Sequence, residues 1–396
     1  MRIHTTEKNQ SVSDISKIYG ISEENIRNIN GLNTEEPATG EELLILLPTR
    51  TYRVQYGDTP EKISMRFGIR KKDIMAFNPW LNFRDMKIGE NITLGYCERK
   101  YGMRVANGCF YKDCTEEKLI EMMPYLTYVT FASAVAEKSG IKKTFNDKRL
   151  VKMVNDEGKI PLIRVYDRYT DRYKSKGDYS EFAYKLIEVA KDGDYKGIML
   201  NSSAFSHSAE NFIDFLMILR KRMIGCDLIL INEINEITPA EFSEYADGSV
   251  FYYPKCAMAD ELNFDCGERK VLGDYSCQSE SAKAFVDIPT VALAPKGYTD
   301  IETAIKKARS GGYNIERNEN TLLSHFTDKN QGEYKFMSLH SLRKLYELIH
   351  EFDYMGICFD IMRTPISFVM MYNALFKTSY HAYIRSREGC SRASEE

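Results

Sequence analysis

The sequence has few of the features that mark membrane proteins, nucleic-acid-binding proteins or secreted proteins. No run of about 18 apolar residues occurs, as a membrane-spanning helix would need. The 54 basic residues are balanced by 57 acidic ones, whereas phosphate binding favours a basic excess. The initial segment MRIHTTEKNQSVSD lacks the apolar core of a signal peptide. We therefore expect synthesis in the cytoplasm without a secretory signal, and neither membrane nor nucleic acid among the partners.

Cysteine spacing gives no clear sign of a disulfide framework or a metal centre. The nine cysteines form no Cys-x-x-Cys pair, and an odd number without a secretory signal favours free thiols. Two closer pairs, Cys109 with Cys114 and Cys256 with Cys266, leave a metal or disulfide pair open as an alternative. Because no histidine lies at ligand spacing from either pair, we expect no metal and no cofactor.

The sequence does contain an internal repeat, in which residues 1–48 correspond to residues 51–96. The matched positions recur at an almost fixed offset, which chance rarely produces. They are Ile15 and Ile63, Tyr19 and Phe67, Gly20 and Gly68, Ile26 and Ile74, and Asn30 and Asn78. The repeat therefore predicts two copies of one small structural module.

Each copy has the pattern strand, helix, helix, strand. In the second copy, residues 52–55 alternate as a strand, and Thr59 is an N-cap that precedes Pro60 at the first helical position. Gly68 ends that helix. A second helix at 72–77 and a closing strand at 91–94 complete the module.

The second copy resembles the LysM consensus through Tyr52-x-Val-x-x-Gly57-Asp58-Thr59, Phe67-Gly68-Ile69, Asn78-Pro79 and Ile88-Gly89. The first copy has Asn9-Gln10-Ser11 in place of Gly-Asp-Thr. The resemblance implies binding of N-acetylglucosamine oligomers, as in peptidoglycan or chitin, between two loops. The implied glycan-binding residues of module 2 are Gly57, Asp58, Thr59, Pro60, Pro79, Trp80 and Leu81. Those of module 1 are Asn9, Gln10, Ser11, Val12, Gly31, Leu32 and Asn33.

The chemistry of such a groove depends on backbone groups and a small apolar wall. Amides and carbonyls in tight turns pair with acetamido groups, while Pro60 or Leu81 would receive the acetyl methyl. Trp80 is a candidate for stacking on a sugar face. The alternatives are that Trp80 packs on the neighbouring domain and that the first copy is only a spacer. We predict that Asn30 and Asn78 form turns rather than ligand contacts.

From about residue 97, apolar strands alternate with amphipathic helices, which indicates a parallel sheet. Eight such units over the remaining length predict a (β/α)8 barrel. The expected strands are 103–106, 125–132, 160–166, 197–201, 227–232, 249–253, 290–294 and 354–360. A segment from Tyr298 to Tyr334 is long for one connection, so we predict an α+β insertion that ends in a strand at 322–327.

The strands at Leu126–Ala132, Lys159–Ile163, Tyr195–Leu200 and Tyr354–Phe359 resemble barrel strands 2, 3, 4 and 8 of family 18 glycoside hydrolases. Two LysM modules before such a barrel resemble the spore cortex-lytic N-acetylglucosaminidases of endospore-forming bacteria. The chain then divides into module 1 (1–48), module 2 (51–96) and the barrel (97–385). Residues 386–396 are an expected disordered tail, and the apolar run 361–379 is interpreted as the last barrel helix or, alternatively, a partner-binding helix.

The resemblance fails at the catalytic motif. Family 18 enzymes carry Asp-x-x-Asp-x-Asp-x-Glu on the fourth strand, where the Glu is the general acid and the preceding Asp orients the substrate acetamido group. The matching positions here are Lys196, Met199, Asn201 and Ser203. Pro254 stands in the place of the family's strand-6 Asp, and Asp360 in that of the sugar-stacking Trp. We therefore predict that no catalytic residue remains and that hydrolysis is absent.

Other polar residues fall at the carboxyl ends of barrel strands, where barrel active sites form. The candidate mouth residues are Asp167, Asn201, Ser203, Glu233, Tyr253 and Asp360. A rebuilt catalytic pair among Asp167, Glu233, Glu236 and Asp360 is one interpretation. Strand-end caps and ligand contacts without catalysis are the others.

The leading hypothesis is thus a glycan-binding protein with a catalytically inactive chitinase-like barrel, associated with the spore cortex, the spore coat or the cell wall. Its expected partner is peptidoglycan or another N-acetylglucosamine-containing glycan, with spore coat proteins as further candidates. The alternatives are an active N-acetylglucosaminidase with relocated carboxylates and a structural spore-coat protein. A barrel mouth that is open and lined with tyrosines and carboxylates would favour sugar binding. A mouth filled by apolar side chains would favour a structural role.

Overall fold

The structure, a computed structural model, describes residues 1–33, 35–83, 85–96, 101–137, 140–167, 176–201, 209–234, 245–252, 264–278 and 281–378. Within these ranges, no helix combines the length and the apolar character needed to cross a membrane.

The two N-terminal modules have the predicted strand, helix, helix, strand order. Ser11 caps the first helix of module 1 in a reciprocal capping box with Asp14, and Thr59 caps the matching helix of module 2. Gly20 and Gly68 end these helices with φ of 65° and 64°. The elements are β1 (Arg2–Thr5), α1 (Val12–Tyr19), α2 (Glu23–Ile29), β2 (Glu42–Ile45), β3 (Pro48–Arg53), α3 (Pro60–Phe67), α4 (Lys71–Phe77) and β4 (Asn91–Tyr96).

Eight parallel strands form a closed barrel, as predicted. Closure is shown by β5, which pairs in parallel with both the second barrel strand and the last. In chain order the barrel strands are β5 (Met103–Phe110), β6 (Tyr128–Glu137), β8 (Ile160–Asp167), β9 (Gly197–Asn201), β10 (Ile229–Ile234), β11 (Gly248–Tyr252), β12 (Ala284–Asp287) and β18 (Gly356–Asp360). The short strand β7 (Gly140–Lys143) extends β6 as a hairpin, and β19 (Lys377–Thr378) pairs with the start of β5.

Helices connect the barrel strands on the outside. They are α5 (Glu116–Met122), α6 (Lys148–Asp156), α7 (Lys176–Asp192), α8 (Ala209–Met223), α9 (Phe264–Gln278), α11 (Leu339–Glu351) and α12 (Ile366–Leu375). Short 3-10 helices lie at Met123–Tyr125 and Ser281–Lys283. Most of the apolar residues of α12 are buried, including Ile366, Val369, Met370 and Leu375, which confirms it as the last barrel helix. The predicted disordered tail lies outside the described residues.

The prediction for the seventh barrel strand was wrong. The barrel strand is Ala284–Asp287, whereas Val291–Ala294 pairs antiparallel with a neighbouring hairpin strand. Both segments are short apolar runs, so periodicity alone does not separate them. The insertion consequently starts earlier and ends later than predicted. It consists of β13 (Val291–Ala294), β14 (Gly297–Asp300), α10 (Ile301–Gly311), β15 (Glu316–Arg317), β16 (Ser324–Thr327) and β17 (Glu333–Phe336).

The inside of the barrel holds its own apolar core, separate from the core between strands and helices. Alternate residues of the strands point inward. Below the mouth they form one cluster that includes Val105, Tyr128, Leu162, Met199, Ile231, Val250 and Phe285. Any polar site of the barrel must therefore lie above this layer.

Both modules pack on the barrel. Ile29, Leu44 and Leu46 of module 1 and Ala76 of module 2 belong to the same buried cluster as the barrel helices. The hydroxyl of Tyr125 donates a hydrogen bond of 2.5 Å to the carbonyl of Ala76. The modules are thus parts of one packed body.

Candidate functional site

The first loop of module 2 is held in shape by its own side chains. Asp58 accepts hydrogen bonds from the hydroxyl of Tyr52 (2.6 Å) and the amide of Gln55 (2.8 Å). Lys62 Nζ donates to the carbonyl of Gly57 at 2.7 Å, and Gly57 has a φ of 77°. The carboxylate of Asp58 therefore fixes the loop, while Gly57 lies exposed at its tip.

The second loop of module 2 is anchored by packing. Leu81 packs against the module core, and Pro60 is buried at the start of α3. Trp80 is only partly exposed and packs against the main core cluster. Trp80 is thus partly buried against the cluster that joins the modules to the barrel, which agrees with the packing alternative.

Module 1 brings its predicted loop residues together in the same arrangement. Val12 and Leu32 are buried in the module core, and Ser11 is engaged in the helix cap. Gln10 accepts a hydrogen bond from the amide of Glu7 at 3.0 Å and contacts His4. Asn9 and Asn33 remain exposed, with φ of 60° and 31°. Of the predicted loop residues of module 1, Asn9 and Asn33 are therefore the ones with exposed side chains.

Asn30 and Asn78 perform the same structural task in the two modules. The side-chain amide of Asn78 donates to the carbonyls of Ile74 and Thr93, and its oxygen accepts from the amide of Thr93, all at 2.7–2.8 Å. Asn30 makes the equivalent three bonds with Ile26 and Leu44. These asparagines tie the second helix to the closing strand, a structural role that differs in detail from the predicted turns.

The fourth barrel strand carries no acid at the motif positions that the structure describes. Lys196 lies before the strand, half-exposed, and pairs with Asp194 at 2.8 Å. Met199 is fully buried in the interior core, opposite Arg164 and Ile231 on the neighbouring strands. Asn201 ends the strand opposite Glu233. Ser203 lies outside the described residues.

An arginine occupies the layer directly above that core. Arg164 Nη2 donates to Glu233 Oε2 at 2.7 Å and to the hydroxyl of Tyr252 at 2.8 Å, and its Nε also pairs with Glu233. Its Nη1 donates to the hydroxyl of Tyr111 at 2.7 Å, and the ring of Tyr166 lies 4.5 Å from the guanidinium carbon. Burial alone would lower the pKa of Arg164, but the Glu233 carboxylate raises it above the usual value. The mouth therefore contains a buried arginine–glutamate pair in which the guanidinium makes several hydrogen bonds.

Asp287, at the end of the seventh barrel strand, is the carboxyl group with a raised pKa among the described residues of this mouth. Its strand neighbours are Tyr252 and Cys358. The side chain is partly exposed, yet many protein atoms surround it, and this burial raises its pKa to about 8. Arg164 opposes the shift, whereas Glu233 and Asp360 add to it. Asp287 thus holds a proton at neutral pH.

The side chain of Asp360 bonds to residues that directly follow it in the chain. Its carboxylate accepts from the amides of Met362 (2.9 Å) and Arg363 (3.2 Å) and from Arg363 Nη1 (2.5 Å). This arrangement matches the strand-end cap that was one interpretation. Asp167 ends the third strand, but its side chain is not described, and Glu236 and Tyr253 lie outside the described residues.

The sequence interpretation missed Arg164, Asp287, Tyr111, Tyr166 and Tyr252. A signal was present, because Leu162, Arg164 and Tyr166 alternate along one strand and must share its inward face. Asp287 was missed because its strand was misassigned. Cys109 and Cys358 are free, with sulfur atoms 3.5 Å apart just below the mouth. Among the described residues, no group of histidine, cysteine or carboxylate side chains has the arrangement of a metal site.

Comparison with known proteins identifies the N-terminal modules. The LysM domain model matches residues 4–45 and 52–94. These two segments are LysM domains.

The whole chain has the architecture of two solved Bacillus structures. The spore cortex-lytic enzyme SleL of Bacillus megaterium QM B1551 superposes with a TM-score of 0.74 at 18% identity, covering 96% of this chain and 99% of that one. SleL of Bacillus cereus gives 0.71 at 16% identity with the same coverage. These likenesses establish the fold, a family 18-like barrel behind two LysM domains.

A sequence relative is the Bacillus subtilis (strain 168) protein YdhD, whose name assigns it as a sporulation-specific glycosylase. It is 25% identical over 238 residues, which is 56% of each chain. The chain therefore matches little more than half the length of this relative.

Proposed function

We propose that this chain is a glycan-binding protein of the spore or cell wall. Its LysM domains bind peptidoglycan or a similar N-acetylglucosamine polymer, and its family 18-like barrel does not hydrolyse it. The observation that carries the proposal is that the sequence has Lys196, Met199, Asn201 and Ser203 at the four acidic positions of the family 18 motif. Loss of a general acid alone lowers a rate by about 10²–10⁴-fold.

Met199 shows how one of the motif positions is filled. Its side chain fills the interior core, at a position where family 18 enzymes carry an acid of the motif. A methionine there packs with Leu162 and Ile231 and offers no proton or negative charge. Hydrolysis would require acidic side chains at several of the four motif positions. A single substitution on this strand would therefore not restore it.

The ion pair above this core supports the same conclusion. Glu233 is 3% exposed, and both of its carboxylate oxygens pair with Arg164. Its side chain is therefore held by the protein itself rather than presented to a leaving oxygen. Of the mouth carboxyls whose side chains are described, Glu233 and Asp360 are therefore both engaged in fixed ion pairs.

The association with spores rests on the architecture shared with the SleL enzymes and on the sequence relationship to YdhD. Two LysM domains supply an attachment to glycan that does not depend on catalysis. We assign the barrel the role of a folded body that the LysM domains fix to the wall.

Two measurements on the full chain test the proposal. Incubation with purified cortex fragments should release no reducing ends above a buffer blank, while an active family 18 glucosaminidase serves as the positive control. The protein should sediment with insoluble peptidoglycan or chitin. Released sugar ends would overturn the claim of inactivity, and failure to sediment would overturn the claim of binding.

Nuclear magnetic resonance can map the binding site without mutation. Titration with chitotetraose should shift the amide signals of Gly57, Asp58 and Leu81, which border the groove of module 2. The amides of α11, on the barrel, provide the internal control. Shifts confined to the barrel would contradict a LysM site.

A second candidate function is hydrolysis by relocated carboxylates, and Asp287 is the observation that favours it. A carboxyl with a pKa of about 8 is protonated at neutral pH and so is able to act as a general acid. If cortex fragments are cleaved, Asp287→Asn should abolish the release of sugar ends while the exposed Asp85→Asn leaves it unchanged. Cleavage that survives Asp287→Asn would exclude this residue as the acid.

A further inference from the structure

Module 1 and the barrel insertion approach each other at backbone distance. The amide of Ile315 donates a hydrogen bond of 2.8 Å to the carbonyl of Thr39. The next residue, Gly40, has a φ of 78°, and a Cβ atom there would overlap the carbonyl of Ile315. The turn before β2 is therefore shaped to lie directly against the insertion.

Two glutamates of this turn pair with basic side chains of the barrel domain. Arg309, on α10, binds Glu41 through both nitrogens of its fork, with Nε–Oε2 at 3.0 Å and Nη2–Oε1 at 2.7 Å. The side chains of Arg309 and Glu41 are 5% and 3% exposed. Glu42 accepts from Arg317 at 2.8 Å and contacts His340 Nδ1 at the same distance. Such bidentate, buried pairs fix the relative geometry of their elements.

Arg309 also reaches the candidate glycan-binding loop. Its Nη1 lies 3.4 Å from the carbonyl of Gly31 and 3.3 Å from Glu35. Gly31 has a φ of 60° and begins the loop Gly31–Asn33, and Leu32 between them is fully buried. The guanidinium of Arg309 thus contacts Gly31 at the start of this loop, Glu35 after it, and Glu41 in the following turn.

Module 2 orders its loops from within. Lys62 holds the carbonyl of Gly57 and Asp58 ties the first loop to Tyr52, while Leu81 of the second loop packs on the module core. Module 1 lacks the Gly-Asp-Thr sequence at its first loop. Its second loop is contacted by a cation from outside the module.

We propose that Arg309 is a positioning residue for glycan binding by module 1, so that this LysM domain binds its ligand only while it is docked on the barrel insertion. The inference rests on the proposed function of the LysM domains. It assigns the barrel a task other than catalysis, the preorganisation of a binding loop. A loop ordered before binding loses less conformational entropy when the ligand arrives.

The test follows each module separately in the full chain. Chitotetraose is titrated into isotope-labelled protein, and the amides of Gly31 and Asn33 report module 1 while those of Gly57 and Leu81 report module 2. In Arg309→Met we expect affinity at module 1 to fall by about tenfold or more, since the loop must then be ordered during binding. Affinity at module 2 should not change.

Three further variants separate positioning from loss of folding. Arg309→Met with Glu41→Gln removes both buried charges and should keep the fold while losing affinity at module 1. Arg309→Lys keeps the charge but loses the fork, so it should rescue binding only in part. Arg343→Met, which breaks the exposed pair of Arg343 with Glu347, is the matched control and should bind as the unaltered protein does.

The outcomes distinguish the two proposals. If neither module of the unaltered protein responds to the oligosaccharide, the proposed function fails and this inference fails with it. If module 1 binds equally well in Arg309→Met and in the double variant, the positioning role is overturned and the proposed function stands. Selective loss at module 1, with partial rescue by lysine, supports the role.

Discussion

Arg164 of the third barrel strand and Glu233 of the fifth form an ion pair across the barrel mouth, with side chains only 6% and 3% exposed. The pair sits directly above an apolar interior core, and three tyrosines surround it. Removing one partner of such a buried pair lowers the stability of the fold strongly, because the remaining charge is left uncompensated.

Glu233→Gln should therefore lower the free energy of unfolding by about 3–5 kcal/mol, measured by urea denaturation. The paired variant Arg164→Met with Glu233→Gln removes both charges and should recover most of the loss. If Glu233→Gln alone is within about 0.5 kcal/mol of the unaltered protein, as typical surface substitutions are, the ion pair does not stabilise the mouth.

Asp287 gives the barrel a pH-dependent stability. Its folded pKa of about 8 lies above the value of about 3.9 for an unfolded Asp, so between these values the folded state keeps a proton that the unfolded state has released. The contribution of Asp287 is thus greatest at low pH and falls as pH rises through this window, by at most about 1.4 kcal/mol per pH unit.

Asp287→Asn removes this titration. Urea unfolding at pH 5, 6.5 and 8 should show the variant gaining stability relative to the unaltered protein as pH rises. Asp85→Asn, at an exposed position of module 2, should run parallel to the unaltered protein. Parallel curves for Asp287→Asn as well would show that Asp287 ionises normally.

Asn78 should be essential to module 2 for structural reasons. Asn78→Ala leaves two carbonyls and one amide without the side chain that bonds them, and we expect a loss of about 2–4 kcal/mol. The exposed Asn91→Ala in the same module should change stability by less than about 0.5 kcal/mol. Equal effects of the two substitutions in thermal unfolding would contradict the assigned role.

Gly40 offers a test of docking that leaves every charge in place. Gly40→Ala forces a methyl group into the carbonyl of Ile315, and we expect module 1 to detach, with a larger radius of gyration in X-ray scattering. Gly20→Ala carries the same strain, since φ is 65° there, but no atom lies within 4 Å of the added carbon. An unchanged radius in Gly40→Ala would show that the contact can shift.

Local sequence signals were sufficient for much of this fold. The repeat, the cap at Thr59 and the helix-ending Gly68 are encoded within a few residues, and the structure has them where they were predicted. The repeat also places the cap of module 1 at Ser11, which the sequence analysis did not name. The fourth barrel strand and the helix Lys148–Asp156 have the predicted bounds. These elements combine strong periodicity with clear end signals, so little else competes.

Contacts between residues that are distant in the sequence could not be predicted from such local signals. Arg164 and Glu233 meet only because two strands of a closed barrel direct alternate residues inward. Arg309 and Gly31 are separated by 278 residues, and the sequence patterns of their own elements give no sign of the contact. The seventh strand was misplaced because two apolar runs lie close together, and only their pairing partners distinguish them.

The seating of module 1 on the insertion has an evolutionary consequence. If the barrel does not hydrolyse glycan, as proposed, residues of its fourth strand are weakly constrained, whereas the contact with module 1 constrains the residues that form it. Among descendants of this chain, we expect substitutions at Met199 or Lys196 to accumulate readily, while Gly40, Glu41 and Arg309 change rarely and together. Selection would then preserve the barrel for its contact with a LysM domain, independently of any reaction.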